Sequence, residues 1–245
     1  MLTAVLADIH SNIEALDACL VHARRARAER FVCLGDLVGY GADPVAVVQR
    51  IRALPGIVAV RGNHDQALFA SRSALAPAGV NEAIEWTRTQ LRPADLSFLR
   101  GLPLEHREGE VLYVHASAAE PARWTYLRNR EAAEQCLAAT DARVVLVGHV
   151  HEARIYYTTP GGAIRELIPH ASVSVPLSRR SRYVITAGSV GQPRDGHTTA
   201  AYVLYDEAAG TVHFQRVPYD YRATANKIVV AGLEPSFARR LTKGR

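Results

Sequence analysis

Cysteine is scarce: Cys19, Cys33 and Cys136 are the three in 245 residues, widely spaced and odd in number. All lie in apolar segments, so buried free thiols in a reducing compartment account for them better than a disulfide framework or a thiolate site. Aromatic residues make up only 7%, and no stretch interleaves them with basic residues as a platform for single-stranded nucleic acid would. No apolar run approaches the roughly 20 residues of a membrane span. A basic leader with a small-residue cleavage site is also missing, since the chain starts directly with the strand-like LTAVLADIH. Together these absences predict a cytoplasmic protein with no membrane partner.

What is present describes an ordinary globular chain. Hydrophobic residues reach 48% and charged residues 22%, a balance that supports a packed core and argues against disorder. One domain over 1–245 suffices at this length, and no linker rich in Pro, Ser or Gly divides it. The formal charge of +5 comes mostly from arginine, grouped as RRARAER, SRRSR and a terminal RRLTKGR. A basic face can attract a phosphorylated small molecule or nucleic acid, but a solvated arginine-rich surface gives the same count. Charge therefore supports an anionic substrate without selecting one.

Apolar periodicity predicts alternating strands and helices. LTAVLAD reads as a buried strand and Ser11 to about Arg27 as a helix, with Ser11 and Glu14 forming a capping box. RFVCLGD is a second strand, Asp43-Pro44 opens a second helix, and GIVAV is the third strand. This βαβαβ start predicts parallel strands with helices packed on the sheet. Residues 79–99 read as helical with a break at Pro93, LEHREGEVLYVHA as a hairpin, and ARVVLVGH as another buried strand. Beyond residue 151 strands dominate, in RIYYTTPGGAIREL, RYVITAGS and AAYVLYDEAAGTVHFQRV, before one or two terminal helices from Tyr221. The expected fold is α/β, a two-sheet β-sandwich flanked by helices.

The apolar strands of the first half end in metal-binding residue types. The ends are Asp8-Ile9-His10, Gly35-Asp36, Gly62-Asn63-His64-Asp65, His115, and Gly148-His149-Val150-His151. Ligands of open α/β sheets lie outside such carboxyl ends, where side chains remote in sequence meet. Asp8 and His10 are two apart, as are His149 and His151, so on extended backbone each pair faces one side and can share a cation. Carboxylates, imidazoles and one amide oxygen suit a divalent ion such as Mn, Fe or Zn. The seven candidates Asp8, His10, Asp36, Asn63, His115, His149 and His151 exceed the four ligands that close a structural zinc. They fit two adjacent ions if one carboxylate bridges them. Two ions about 3.5–4 Å apart can activate a bridging water for in-line displacement at phosphorus.

In this order, DIH, GD, GNHD, a later lone His and GHVH resemble the calcineurin-like metallophosphoesterases. The match covers 8–151 as a framework, and the trailing TAGSVGQPRDG is similar to the Gly-Ser and Pro-Arg segment of small bacterial members. The resemblance implies a two-sheet sandwich and a dinuclear phosphoesterase, with phosphodiesters preferred over phosphomonoesters or phosphoproteins. It implies one metal on Asp8, His10 and His151, a second on Asn63, His115 and His149, and Asp36 bridging them. His64 would stand beside the scissile phosphorus, stabilising charge or protonating the leaving oxygen, with Asp65 orienting its ring. Taken singly, His10 or His115 would be a structural histidine and Asp36 a turn cap; the ordered set reverses that reading. A nuclease and a non-catalytic scaffold of the same fold are the rival readings, and the intact ligand set speaks against the scaffold.

One departure bears on substrate. Phosphoprotein phosphatases and dinucleoside tetraphosphatases of the family continue GD with Asp-Arg-Gly, whose arginine grips phosphate, and then GNHE. Here the text is GDLVGYGADP and GNHD. Arg194 in GQPRDG or Arg123 in SAAEPARW could supply the grip, each competing with a plain surface arginine. Tyr40 and Trp124 could wall the pocket against a nucleotide-like or aryl group, or serve as core or surface aromatics. The apolar segment LIPHASVSVPL is a candidate homo-oligomer contact or pocket wall.

Overall fold

The computed structural model describes residues 1–71, 78–171 and 173–245, so that Ser172 of LIPHASVSVPL lies outside the described residues. The chain runs β1 (Leu2–Leu6), α1 (Ile13–Arg25), β2 (Arg30–Cys33), α2 (Pro44–Arg52) and β3 (Val58–Ala59), then α3 (Asn63–Ala67), α4 (Ala78–Gln90) and α5 (Pro93–Gly101). The hairpin of β4 (Glu105–Glu108) and β5 (Val111–Val114) leads to α6 (Arg130–Ala138) and β6 (Val144–Val147). Next come β7 (Ala153–Thr158), β8 (Ile164–Leu167), β9 (Ser174–Pro176) and β10 (Tyr183–Ala187). The hairpin β11 (Ala200–Asp206) and β12 (Thr211–Val217) precedes α7 (Tyr221–Val230) and α8 (Pro235–Lys243).

Among the described residues the strands form two six-stranded sheets, ordered β3-β2-β1-β11-β12-β9 and β4-β5-β6-β10-β7-β8. β1, β2 and β3 run parallel, as do β5, β6 and β10, and the hairpins add antiparallel neighbours. Both faces of the central strands are covered, which is why they read as unbroken apolar runs. In β1, Ala4 and Leu6 pack with Leu16 and Leu20 of α1 and Val48 and Ile51 of α2. Val5 points the other way, into the core between the sheets with Val144, Leu146, Ile185 and Val203. In β6, Val145 and Val147 turn outward onto Cys136 and Leu137 of α6. The expected sandwich with flanking helices is thus observed.

Two helix starts differ from expectation. Asn12 caps α1, its side-chain oxygen accepting from Ala15 N–H at 3.0 Å. Ser11 is held at φ 52 by its own N–H bond to the Leu37 carbonyl, so it lacks the extended backbone that a cap adopts. Pro44 opens α2 as expected, but Asp43 makes no side-chain cap bond and accepts instead from Lys227 Nζ of α7 at 2.9 Å. The three cysteines are free and buried, and burial pushes their thiols up, which keeps them unreactive. Among the described residues no helix is long and apolar enough to cross a membrane.

A paired ion bridge joins the sheets at one edge. Both Arg30 terminal nitrogens of β2 donate to the two Glu108 oxygens of β4, and His106 Nε2 lies 2.9 Å from Glu108 Oε1. The Arg30 hydrogen bonds hold the Glu108 carboxyl down to about 2 from 4.5. A depressed folded value means that the pair's stabilisation is complete above the unfolded value and vanishes as pH falls through about 2. Glu108→Gln should therefore lower stability at neutral pH by about 1 kcal/mol, the partly exposed pair being screened by solvent. Urea midpoints between pH 7 and pH 3 should show the deficit shrinking with acid, and a constant deficit would remove the assignment.

Candidate metal centre

The candidate ligands leave the carboxyl ends of β1, β2 and β3 in one sheet and of β5 and β6 in the other, so the cluster sits on the seam between sheets. Asp8 and His10 do meet, but β1 ends at Leu6 and the two-residue spacing acts through a left-handed turn, not an extended strand. Ten non-glycine residues among those described have φ in the left-handed region, and five are Asp8, His10, Asp36, His149 and His151. Asp and His tolerate this conformation better than most residues, yet such a concentration of strain marks functional sites. The loops hold one another: Asp8 N–H donates to Gly35 O at 3.1 Å, His10 N–H to Asp36 O at 3.0 Å and Gly148 N–H to His115 O at 2.9 Å. At Gly62 a Cβ would lie 2.1 Å from Asp36 Oδ1, so only glycine lets the α3 turn close against Asp36.

Ligand atoms of Asp8, His10 and His151 lie within 4.8 Å of one another, and so do those of Asp36, His115 and His149. His149 and His151 thus turn to different groups, as the family resemblance implies and unlike the shared side that extended backbone would give. His10 Nε2 and His151 Nε2 are 3.1 Å apart, while His115 Nε2 is 3.1 Å from Asn63 Oδ1. Asp36 Oδ2 lies 3.7 Å from His10 Nε2 and 3.5 Å from His115 Nε2, and its Oδ1 accepts the His64 backbone N–H at 2.8 Å.

The donor chemistry fits cations. His10, His115 and His151 each donate Nδ1–H to a backbone carbonyl, of Val38 at 3.1 Å, Leu34 at 2.7 Å and Gln192 at 2.6 Å. Each Nε2 is thereby turned toward the cluster, the usual outer support of a metal-binding histidine. His149 is set the other way, with Nε2–H donating to the Trp124 carbonyl at 2.9 Å, which leaves Nδ1. Two imidazole lone pairs aimed at each other over 3.1 Å repel unless a cation or proton lies between them. Burial lowers His10, and lowers His149 to about 3, so both present neutral rings, the form that ligates. Burial alone would lower His115 too, but the neighbouring Asp36 carboxylate raises it above its ordinary value. A metal on this group therefore has to displace a proton.

The structure directs Asp65 elsewhere than to the His64 ring. Its Oδ1 accepts from Leu37 N–H at 3.0 Å and Val38 N–H at 3.3 Å, and its Oδ2 from Gly62 N–H at 3.0 Å. With its hydrogen bonds spent on backbone donors, this carboxylate pins the Asp36 loop to the α3 turn. The His64 ring is seated by packing instead, 4.4 Å from the Tyr40 ring and 4.9 Å from the His10 ring between centroids. Burial lowers the His64 imidazole, so it is neutral near pH 7.

Of the two arginine candidates, the structure brings one to the cluster. Arg194 lies with Cζ 5.9 Å from the centroid of the buried Tyr40 ring, and its buried Nε has no hydrogen-bond partner. Arg123 is 72% exposed on a short 3₁₀ turn and pairs with Glu120 at 3.1 Å, with no contact to the histidines among the described residues. Tyr126 stacks on His149 at 4.0 Å between centroids, and Arg128 Cζ lies 4.3 Å from the Tyr126 ring centroid. Nothing in the order of ligands pointed to Tyr126; its only sequence signal was nearness to Trp124.

A family model for the calcineurin-like phosphoesterase superfamily domain matches residues 1–209. The chain belongs to this superfamily. It is accordingly a phosphoester hydrolase of a metal-dependent family. Uncharacterized protein MJ0912 of Methanocaldococcus jannaschii is 36% identical over 248 residues, covering 99% of this chain and 98% of that one. The crystal structure of a metallophosphoesterase from Sphaerobacter thermophilus superposes with a TM-score of 0.88 at 34% identity, over 100% of this chain and 99% of that one. A symmetrical bis(5'-nucleosyl)-tetraphosphatase of Dechloromonas aromatica is 30% identical over 139 residues, 55% of this chain and 50% of the relative.

The Asp65 geometry gives a direct test. In Asp65→Asn an amide N–H replaces one oxygen and meets a backbone N–H, leaving a buried donor unsatisfied at about 1–3 kcal/mol. Urea unfolding should register that loss of stability. An unchanged midpoint with lost turnover would return Asp65 to the role of orienting His64.

Proposed function

We propose that this hydrolase cleaves phosphodiesters at a two-metal centre. Asp8, His10 and His151 would hold one ion and Asn63, His115 and His149 the other, with Asp36 shared. The observation that carries the reading is Asp36 Oδ2, which faces the Nε2 atoms of both His10 and His115 from between the two groups. Mn, Fe or Zn suits these nitrogen and oxygen donors. When bound, such ions neutralise phosphoryl charge and lower the pKa of water.

The chain's own residues do the rest. The His64 ring, neutral and packed against Tyr40 and His10, offers an N–H toward a leaving oxygen. Arg194, beside Tyr40, gives the substrate's phosphates a cationic wall next to the metal groups. A cavity of about 390 Å³ opens at His64, lined by Asn63, Ala67, Ile84, Arg88 and Trp124, and can take the leaving group. The partial similarity to a bis(5'-nucleosyl)-tetraphosphatase supports a small nucleotide-like substrate.

Chelation should abolish hydrolysis of bis-p-nitrophenyl phosphate, and added Mn should restore it above the rate on p-nitrophenyl phosphate. Full turnover by metal-free protein would overturn the mechanism, and faster monoester turnover would overturn the diester preference. His64→Ala should retain both ions by elemental analysis and lose about 10²–10⁴ in kcat. Loss of metal instead would make His64 a ligand, since its ring also falls within 4.8 Å of ligand atoms of His10 and Asp36.

A further inference from the structure

The family match ends at residue 209, and α7 and α8 lie beyond it. These helices are not remote from the candidate centre. Phe237 of α8 packs on Tyr40 at 4.9 Å between ring centroids, and Arg240 lies with Cζ 5.7 Å from the Tyr40 centroid. The end of α8 is fitted to the loop that follows Arg194. Gly244 accepts Gly196 N–H at 2.8 Å, and a Cβ on Gly244 would come within 2.4 Å of the His197 carbonyl oxygen. Gly244 also has φ +64, so both its backbone and its neighbours exclude a side chain there.

Two guanidinium groups therefore converge on one tyrosine, Arg194 at 5.9 Å and Arg240 at 5.7 Å. Neither has a carboxylate within ion-pair distance among the described residues; Asp195, next to Arg194, is paired with Arg216. One Arg194 nitrogen donates to Gln192 Oε1 at 3.0 Å, while its buried Nε is unpartnered. The ring attracts each cation, and Tyr40 also shares a side-chain hydrogen bond with Arg194, but neither contact neutralises the positive charge. An anion does, and a phosphoryl group matches two planar forks of donors. On its other contacts the same Tyr40 ring meets His10 and His64, so the arginines stand one side chain away from the place assigned to the scissile phosphate.

We propose that Arg194 and Arg240 form a second anion subsite, which takes a further phosphoryl group of the same substrate. The substrate class is then a phosphoester carrying two or more phosphates, such as a nucleoside di- or polyphosphate ester. This rests on the two-metal reading for the scissile phosphate, but the arginine pair can be tested apart from it.

With Mn in excess and bis-p-nitrophenyl phosphate as reporter, ADP should inhibit wild-type protein at least tenfold more tightly than AMP. Arg240→Ala should bring that ratio close to one, mainly by weakening ADP, and Arg240→Lys should fall between. In EDTA, calorimetry should detect inorganic pyrophosphate binding to metal-free wild-type protein, weakened at least tenfold in Arg240→Ala. Thermal melting checks that the variants fold, and Arg194→Ala serves as the second variant. A ratio unmoved by both alanine substitutions, with pyrophosphate binding equally unmoved, overturns the subsite. If metal-loaded wild-type protein fails to hydrolyse the reporter, the two-metal reading falls, and the metal-free titration alone still decides the arginine pair.

Discussion

Asp36 is the joint on which the rest of the arrangement depends. One of its oxygens is fixed by the His64 backbone N–H, and the other faces imidazoles that come from different sheets, His10 after β1 and His115 after β5. A buried carboxylate in that position is unstable alone and needs positive charge beside it. Here a proton on His115 supplies some of that charge, and divalent ions can supply more. The electrostatics of one side chain thus couple the packing of two sheets to cation binding, because the groups that complete its environment belong to both.

That coupling explains why the strain is local. Left-handed Asp and His residues gather where β1, β2 and β6 end, while the strands themselves are regular and packed on both faces. Each such residue costs roughly 1–3 kcal/mol and persists because its surroundings over-determine it. The backbone bonds between the Asp8, Asp36 and His115 loops, and the Asp65 carboxylate clamped on three N–H groups, are that over-determination. The core between the sheets provides the rigid ground on which these loops stand.

Much of this was legible in residue order. Strand ends can be read from apolar runs, and chemistry-bearing residues at every such end announce a shared site. What escaped reading has a common physical reason: it depends on backbone path, which side-chain identities do not display. Asn12 takes the cap because Ser11 is tied to Leu37 O; Asp65 serves main-chain donors because the α3 turn closes over Asp36. Asp8 and His10 meet through left-handed backbone, where an extended path was expected. Arg240 read as one more basic residue of a tail, and only the docking of α8 on the Arg194 loop brings it to Tyr40.

The three imidazoles that lean on carbonyls of Leu34, Val38 and Gln192 carry one more implication. Their tautomers are dictated by main-chain oxygens, so exchanging the side chains at these positions for others of like volume leaves the ring orientation intact. Lengthening or shortening the intervening loops by one residue would instead turn an oxygen away and free a ring to flip. Chain length between anchor points, more than side-chain identity at them, is the variable to which this constellation is sensitive.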